Sequence, residues 1–236
     1  MRVLIIVPAH NEARNLPLLA ERLRAAAPRA DVCVVDDGSS DETAAVAAGL
    51  GFTVLPTAVN LGIGGAVQTG YLWARERGYD VAVQMDADGQ HDPGQLEAVL
   101  APVERGELSV VVGSRFIEAG GYRSTALRRM GIRYLSWFLR LRCGARVSDP
   151  TSGYRAADRR AIELFARSYP SDYPEPESIA IAVRNGLRVG EVPIVMARRA
   201  HGESSITAWR TLYYLVKVSL ALILLPARPP RTSHGG

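Results

Sequence analysis

The chain has 236 residues, enough for one ordinary domain with a sizeable hydrophobic core. Hydrophobic residues make up 47% of it and charged residues 22%, a balance that excludes an intrinsically disordered protein. The net charge of +4 is modest, and no nucleic-acid partner is expected. The two cysteines, Cys33 and Cys143, are far apart in sequence, which indicates free thiols in a reducing compartment.

The N-terminal half alternates between predicted strands and helices. The apolar run from Val3 to Val7 is typical of a strand buried on both faces, and it is too short for a signal peptide. Further strands are predicted at residues 31–35, 52–55, 79–83 and 108–112, with helices at 16–27, after 41, up to 77 and at 93–105. Because elements that alternate at this spacing form βαβ units, the sequence predicts an α/β fold with a mostly parallel sheet through about residue 114.

Polar segments follow several of these strands, at residues 8–12, 36–41, 60–65 and 86–92. Open α/β sheets bind ligands at the carboxyl ends of their strands, so we expect these segments to meet in one site. In the second segment, Ser40 or Asp41 is predicted to cap the helix that follows. In the third, Gly62, Gly64 and Gly65 indicate the entrance of a helix rather than a phosphate cradle.

The fourth polar segment carries three carboxylates within seven residues: Asp86, Asp88 and Asp92. Carboxylates two residues apart on a turn can converge on one divalent cation, with Gln90 and His91 as further ligands. The alternative is a solvated acidic turn that caps the next helix. We assign the cap to Asp92, which leaves Asp86 and Asp88 for a metal.

Residues 115–146 are strongly basic, with eight arginines against one acid, Glu118, and a local net charge of +7. The large apolar side chains in this segment recur at steps of three and four: Leu127, Met130, Tyr134, Trp137, Phe138 and Leu141. This spacing predicts a basic amphipathic helix. Either the helix packs on the sheet with a solvated arginine face, or it contacts an anionic membrane surface or phosphates.

The C-terminal part is predicted to contain a loop at 147–155, helices near 159–167 and after 177, and a strand at 187–195. A last helix is predicted from about Ser205 to Leu225. Its apolar part is shorter than the roughly 20 residues of a membrane span, and Trp209, Tyr213 and Tyr214 stand at one end as interfacial aromatics do. We interpret it as an interfacial or re-entrant helix, with a buried core helix and a short span as alternatives.

Several motifs together resemble glycosyltransferase family 2, in particular the transferases that act on dolichyl or polyprenyl phosphate. They are Val-Pro-Ala-His-Asn-Glu at 7–12, Val-Asp-Asp-Gly-Ser-Ser-Asp at 35–41, Asn-Leu-Gly at 60–62, Asp-Ala-Asp-Gly-Gln-His at 86–91, Arg115, Asp149, Ser-Gly-Tyr-Arg at 152–155, Arg198 and His-Gly-Glu-Ser at 201–204. The resemblance implies the GT-A fold, with a mostly parallel central sheet flanked by helices. It predicts a GT-A domain at residues 1–206, followed at 207–236 by a membrane-associating helix and a short tail.

The resemblance also implies roles for individual residues. The nucleotide-sugar pocket is expected to involve Pro8, Ala9, His10, Glu12, Val35, Asp37, Asp86, Ala87, Arg115 and Arg198. The ligands of a divalent cation, Mg²⁺ or Mn²⁺, are expected to be Asp88, Gln90 and Asp86. The expected catalytic residues are Asp149, Arg115 and Asp88, and the expected contacts of an acceptor phosphate are Arg128 and Arg155. One departure from the family is Ser205, where a lysine often follows Gly-Glu-Ser.

The sequence therefore predicts a metal-dependent, inverting hexosyltransferase at the cytoplasmic face of the membrane. It would move a sugar from a nucleotide-diphosphate donor to polyprenyl phosphate, a nucleophile that is already anionic. The alternative acceptor is a saccharide hydroxyl in cell-surface polysaccharide synthesis, which needs a general base, with Glu175 or Glu177 in that role. A nucleotide-sugar-binding subunit without activity is a third reading. The expected partners are the membrane surface and either a membrane protein or a second copy of the chain.

Overall fold

The structure is a computed structural model that describes residues 1–117, 126–196 and 208–225. Its strands are β1 (Val3–Ala9), β2 (Asp31–Asp36), β3 (Thr53–Pro56), β4 (Val81–Gln84), β5 (Val110–Ser114), β6 (Arg155–Asp158) and β7 (Val189–Pro193). They form one sheet in the order β3-β2-β1-β4-β6-β5-β7. Neighbouring strands are parallel except where β6 pairs with β4 and β5. The predicted mostly parallel α/β sheet is thus confirmed.

Helices cover both faces of this sheet. They are α1 (Leu16–Ala26), α2 (Thr43–Gly49), α3 (Gly62–Glu76), α4 (Leu96–Glu104), α5 (Ala126–Cys143), α6 (Arg159–Arg167), α7 (Pro174–Arg184) and α8 (Ala208–Leu224), with a 3₁₀ turn at Pro93–Gln95 before α4. On one face, Ile5 and Val7 of β1 lie in a cluster with side chains of α1 and α4. Leu4 and Ile6 point to the other face, among side chains of α3 and α6. Two buried faces explain the continuous apolar run of β1.

A third cluster joins the C-terminal helices beside β5. Leu135 and Leu139 of α5, Ile179 of α7, and Val218 and Leu222 of α8 are all fully buried in it. Helix α8 therefore packs one side against α5 and α7, which bears out part of the core-helix alternative. Within the described residues, no helix is both long and apolar enough to cross a bilayer.

Two elements differ from the prediction. Residues 155–158 form the central strand β6, although the tetrapeptide Arg-Ala-Ala-Asp has no β-branched residue to indicate a strand. Pairing with β4 on one side and β5 on the other holds this segment extended. Helix α7 begins at Pro174 and not after residue 177, because Tyr173 takes a left-handed conformation with φ of 50° and Pro174 starts the helix.

Candidate active site

A cavity of about 340 Å³ opens at the carboxyl ends of β1, β2 and β4. Its lining residues are Pro8, Ala9, His10, Glu12, Asp37, Asn60, Gly62, Ile63, Ala66, Asp86, Ala87, Asp88 and Glu175. Eight of these were predicted as site residues, and all four polar segments at 8–12, 36–41, 60–65 and 86–92 contribute to the lining, so the structure brings them together as expected. The volume lies in the range of small-ligand sites in proteins.

One wall of the cavity is held by the segment after β1. Asn11 adopts a φ of 59°, and its side-chain oxygen accepts hydrogen bonds from the backbone N–H groups of Ser40, at 2.8 Å, and Asp41, at 3.3 Å. The Asp41 carboxylate accepts from the N–H of Thr43 at 3.0 Å, which confirms its predicted place at the start of α2. These contacts fix the wall that includes His10 and Glu12.

Asp37 organises the opposite wall. Its two oxygens accept hydrogen bonds from the backbone N–H groups of Leu61, at 2.7 Å, and Gly62, at 2.9 Å. The carboxylate thus binds the N-terminal end of α3, where the free N–H groups and the helix dipole favour a negative charge. Nδ1 of His10 lies 2.9 Å from the carbonyl oxygen of Asp37 and donates to it. Asp37 therefore shapes the pocket and also lines it, and its predicted contact with a base or ribose stays a prediction.

At Gly64, near the start of α3, a close backbone contact requires glycine. Its N–H donates to the carbonyl oxygen of Ser171 at 3.2 Å. A Cβ atom at this position would lie 2.1 Å from the carbonyl oxygen of Pro170, closer than atoms approach. The predicted helix entrance is confirmed, and it packs directly on the segment that leads into α7.

Asp86 and Asp88 enter the cavity from the turn after β4. One oxygen of Asp88 accepts a hydrogen bond from the backbone N–H of Gln90 at 3.0 Å, and Gly89 makes the turn with φ of 77°. Gln90 follows two residues after Asp88 in sequence and is not one of the lining residues of the cavity. Asp92 accepts from the N–H of Gly94 at 3.0 Å and starts the 3₁₀ turn, which confirms its predicted capping role.

The buried ring of His91 holds the backbone of Asp86 in place. Its Nδ1 accepts the backbone N–H of Asp86 at 2.9 Å, so the proton of the neutral ring is on Nε2, which lies 3.6 Å from an Asp86 carboxylate oxygen. Burial lowers the pKa of His91 to about 4, which keeps the ring neutral at physiological pH. A ring nitrogen that carries a proton cannot bind a metal, so the prediction of His91 as a further ligand is not supported.

The carboxylates fit a divalent cation in a particular way. Within the described residues, no group of three or more His, Cys, Asp or Glu side chains is arranged to hold a metal. Mg²⁺ commonly uses one or two carboxylates and completes its shell with water and substrate phosphates. Asp86 and Asp88 facing one cavity match that donor set, while Gln90, the third predicted ligand, does not line the cavity.

Arg115 and Asp149 form a buried ion pair outside the cavity lining. Nε and Nη2 of Arg115 lie 2.5 and 2.6 Å from the two oxygens of Asp149, and the Asp149 side chain is completely buried. Nη2 also donates to Thr151 at 2.8 Å, while Glu191 accepts the N–H of Asp149 at 2.8 Å. The two residues hold the end of β5 to the segment before β6, so the structure does not bring them into the cavity with Asp88.

Arg155, which was predicted to contact an acceptor phosphate, is buried and fully engaged by other groups of the protein. The guanidinium of Arg155 donates to the carbonyl oxygens of Ser152, Pro150 and Glu175 and to the hydroxyl of Ser178, at 2.7 to 2.9 Å. These partners occupy the Arg155 side chain, which is therefore not available to an acceptor phosphate, contrary to the prediction.

Val35 was predicted to line the nucleotide-sugar pocket. Its side chain is instead buried in the core cluster on the α3 side of the sheet and does not line the cavity. Arg128 is half-buried on α5 and does not line the cavity either. Arg198 and Ser205 lie outside the described residues.

Five lining residues were absent from the predicted pocket: Asn60, Gly62, Ile63, Ala66 and Glu175. The first four belong to the Asn-Leu-Gly segment and the first turns of α3, whose position after a strand was the available signal. Glu175 was considered only as a general base. It lies more than 80 residues beyond the acidic turn, and only the packing of α7 against the sheet brings it there.

Comparison with known proteins agrees with this geometry. Residues 4–165 match the family model of glycosyl transferase family 2. The chain is 40% identical to undecaprenyl-phosphate mannosyltransferase of Micrococcus luteus over 88% of each chain, and 34% identical to polyprenol monophosphomannose synthase of Mycolicibacterium smegmatis over 92% of this chain and 86% of that one. The crystal structure of glucosyl-3-phosphoglycerate synthase from Mycobacterium tuberculosis with Mn²⁺, UDP and glucosyl-3-phosphoglycerate shares the fold, with a TM-score of 0.70 at 21% identity over 94% of this chain and 78% of that one.

Proposed function

The chain belongs to glycosyltransferase family 2, and on that premise we propose that it transfers mannose from a nucleotide-diphosphate donor to a polyprenyl phosphate. The cavity supports the nucleotide-diphosphate donor in this proposal, because Asp86 and Asp88 face the same space as the segments after β1 and β2. The names of two relatives, at 40% and 34% identity, support the sugar and the acceptor.

In this proposal the donor lies along the cavity. The nucleoside occupies the end formed by Pro8, Ala9 and His10, and the diphosphate points towards the carboxylates. Asp86 and Asp88 would hold Mg²⁺ or Mn²⁺, which when bound neutralises charge on the leaving diphosphate. The protein contributes fixed positions: the N–H of Gln90 holds Asp88, and His91 holds Asp86.

The acceptor phosphate requires positioning and charge balance rather than deprotonation, because it is anionic near neutral pH. Attack of its oxygen on the sugar carbon breaks the bond to the nucleoside diphosphate, and the resulting phosphodiester carries the sugar. No general base is needed, and we expect inversion at the sugar, as the resemblance to glycosyltransferase family 2 implies. A saccharide hydroxyl is the competing acceptor and would need a base.

The acceptor question is answered by following labelled sugar. The protein is incubated with a labelled nucleotide sugar, membrane extract and Mg²⁺ or Mn²⁺, and the product is separated into lipid and polysaccharide fractions. We expect label in the polyprenyl-phosphate fraction. Label in polysaccharide alone would establish the alternative acceptor. A parallel thermal-shift series with GDP-mannose, UDP-glucose and UDP-N-acetylglucosamine identifies the donor, since a ligand that binds only the folded state raises its stability.

A membrane-docking face is the second part of the proposal, and it consists of one stripe on α5 and one on α8. The stripe on α5 exposes Met130, Tyr134, Trp137 and Leu141, and that on α8 exposes Tyr213, Val216, Leu220 and Ile223. The two helices contact each other, with Tyr134 Oη 3.0 Å from Ser219 Oγ and Arg142 donating to the carbonyl oxygen of Ile223 at 3.1 Å.

The charge of α5 indicates the kind of surface this face would meet. Arg129, Arg133 and Arg140 are exposed on the same helix as the apolar stripe. Basic side chains beside exposed aromatic and aliphatic ones are typical of helices that lie in the interface of anionic membranes. We therefore expect the protein to lie on the membrane surface through α5 and α8.

Vesicle binding tests this face. We expect sedimentation with vesicles that contain anionic lipid, weaker binding to neutral vesicles, and a loss of about tenfold or more in binding when Trp137 and Leu220 are both changed to aspartate. Thr53→Asp, which adds a charge to the exposed face of the edge strand β3, is the matched control and should bind as the unchanged protein does. Equal binding of all three proteins would show that α5 and α8 do not form the docking face.

A further inference from the structure

Glu175 is the acidic residue of the cavity to which the proposed transfer gives no task. Asp86 and Asp88 are assigned to the cation and Asp37 to the entrance of α3, while Glu12 lies on the nucleoside side. Glu175 enters from α7, the helix that closes the cavity from the C-terminal half of the chain. The acceptor phosphate needs no base, so the purpose of this carboxylate has to be found elsewhere.

The backbone of Glu175 is unusually well fixed. It stands between Pro174 and Pro176 in the first turn of α7, so the dihedral angle φ is restricted on both sides of it. Its carbonyl oxygen accepts hydrogen bonds from Nη1 of Arg155 at 2.7 Å and from the hydroxyl of Ser178 at 3.1 Å. Arg155 thus holds the Glu175 carbonyl together with those of Ser152 and Pro150, and the carboxylate is presented to the cavity from a rigid position.

The negative charge of the Glu175 carboxylate restricts which part of the donor can lie next to it. A second carboxylate opposite the diphosphate would repel it unless a cation stood between them, yet among the described residues no three acidic or histidine side chains are arranged around a common metal position. Glu175 therefore lies outside the coordination of a cation at Asp86 and Asp88. Burial raises the pKa of Glu175 and the charge of Asp86 adds to the rise, while Arg155, Arg115 and a hydrogen bond from the backbone N–H of Glu175 oppose it. Further hydrogen-bond donors from a ligand would stabilise the ionised carboxylate.

The nucleoside of the donor is placed at Pro8, Ala9 and His10, so the remaining neutral hydrogen-bond donors are the hydroxyl groups of the hexose. We propose that Glu175 is a specificity-determining residue that accepts hydrogen bonds from the hydroxyl groups of the donor hexose. A carboxylate that accepts from two hydroxyls distinguishes sugars by the direction of those hydroxyls, because an epimer leaves a buried oxygen unpaired. This inference rests on the proposed nucleotide-sugar donor, and it is independent of which acceptor is used.

The test separates binding of the sugar from binding of the nucleotide. Dissociation constants are measured by calorimetry with Mn²⁺ for GDP and GDP-mannose and for UDP and UDP-glucose, using the unchanged protein, Glu175→Ala and Glu175→Gln. We expect both variants to bind the nucleoside diphosphate within about twofold of the unchanged protein, while the extra affinity contributed by the sugar falls about tenfold in Glu175→Ala. Preference between the two hexoses should narrow in both variants.

Glu177→Gln is the matched control, since it changes a half-buried carboxylate two residues further along the same helix that does not line the cavity. It should leave both affinities unchanged. The inference is overturned if Glu175→Ala loses nucleotide and nucleotide-sugar affinity equally, or if it loses neither. It is also overturned if Glu175→Gln keeps donor affinity in calorimetry but loses turnover in the labelled-sugar assay, as expected for a general base. If the unchanged protein binds no nucleotide sugar, the proposed function itself fails, which is a different result.

Discussion

The ion pair of Arg115 and Asp149 shows what a single buried charge does in this chain. The ion pair is bidentate and buried, so the attraction between its two charges offsets the free-energy cost of removing each from water. We expect Asp149→Asn to destabilise the protein by about 3 kcal/mol or more, because it leaves a buried guanidinium without its counter-charge. Urea unfolding followed by circular dichroism measures the change.

An exposed ion pair provides the contrast. Arg105 and Glu107 are paired at 2.7 Å on the surface, where solvent screens the charges. Glu107→Gln should therefore leave the unfolding midpoint unchanged. If Asp149→Asn were as harmless as Glu107→Gln, Asp149 would not be the structural anchor that its burial indicates. Its predicted catalytic role stays a prediction.

Residues close to strand ends were predictable, and residues that depend on distant partners were not. Asp86, Asp88 and His10 follow apolar strands directly, so the pattern of the sequence located them at the sheet edge. An arginine in a motif looks the same whether it faces a phosphate or a set of carbonyl groups. Arg155 binds carbonyls contributed by residues up to 20 positions away, which only the folded chain reveals.

At the scale of elements, Glu177 on α7 makes stability depend on pH. Burial raises the pKa of Glu177 from about 4.5 to about 7, Asp172 adds to the rise, and Lys217 opposes it. Between these two values the folded protein binds more protons than the unfolded chain, so stability decreases as the pH rises through this window. Glu177→Gln removes the titrating group, and we expect this variant to lose less stability than the unchanged protein between pH 5 and pH 8.

Thermal unfolding at the two pH values checks this expectation. Glu163→Gln, a change at an exposed position on α6, is the control and should keep the pH dependence of the unchanged protein. A Glu177→Gln variant with the full dependence would show that this carboxylate is ionised in the folded protein at both pH values.

Helices and parallel strands followed from periodicity and length, whereas β6 and the start of α7 did not. Strand β6 is short and lacks β-branched residues, and its neighbours β4 and β5 impose its conformation. The first turn of α7 contains two prolines, which in most contexts indicate an extended segment, but prolines are tolerated where a helix begins. Tertiary context outweighed local propensity in both cases.

For the whole molecule, α7 links the cavity to the exposed apolar stripes. Glu175 in its first turn lines the cavity, and Ile179 one turn later is buried against α5 and α8. The cavity and the cluster of α5 and α8 therefore adjoin successive turns on one face of α7, so a donor held in the cavity and a lipid acceptor held at the α5 and α8 face would both lie beside this helix. This arrangement suits an enzyme whose two substrates come from water and from a membrane.

The measurement that tests this account most directly counts both products of one reaction. Purified protein, labelled nucleotide sugar, polyprenyl phosphate and Mn²⁺ are combined, and released nucleoside diphosphate is compared with label extracted as lipid-linked sugar. We predict equal amounts of the two, and a fall of about a hundredfold or more in both for Asp88→Ala. Nucleoside diphosphate released without lipid-linked sugar, or full activity in Asp88→Ala, would contradict the account.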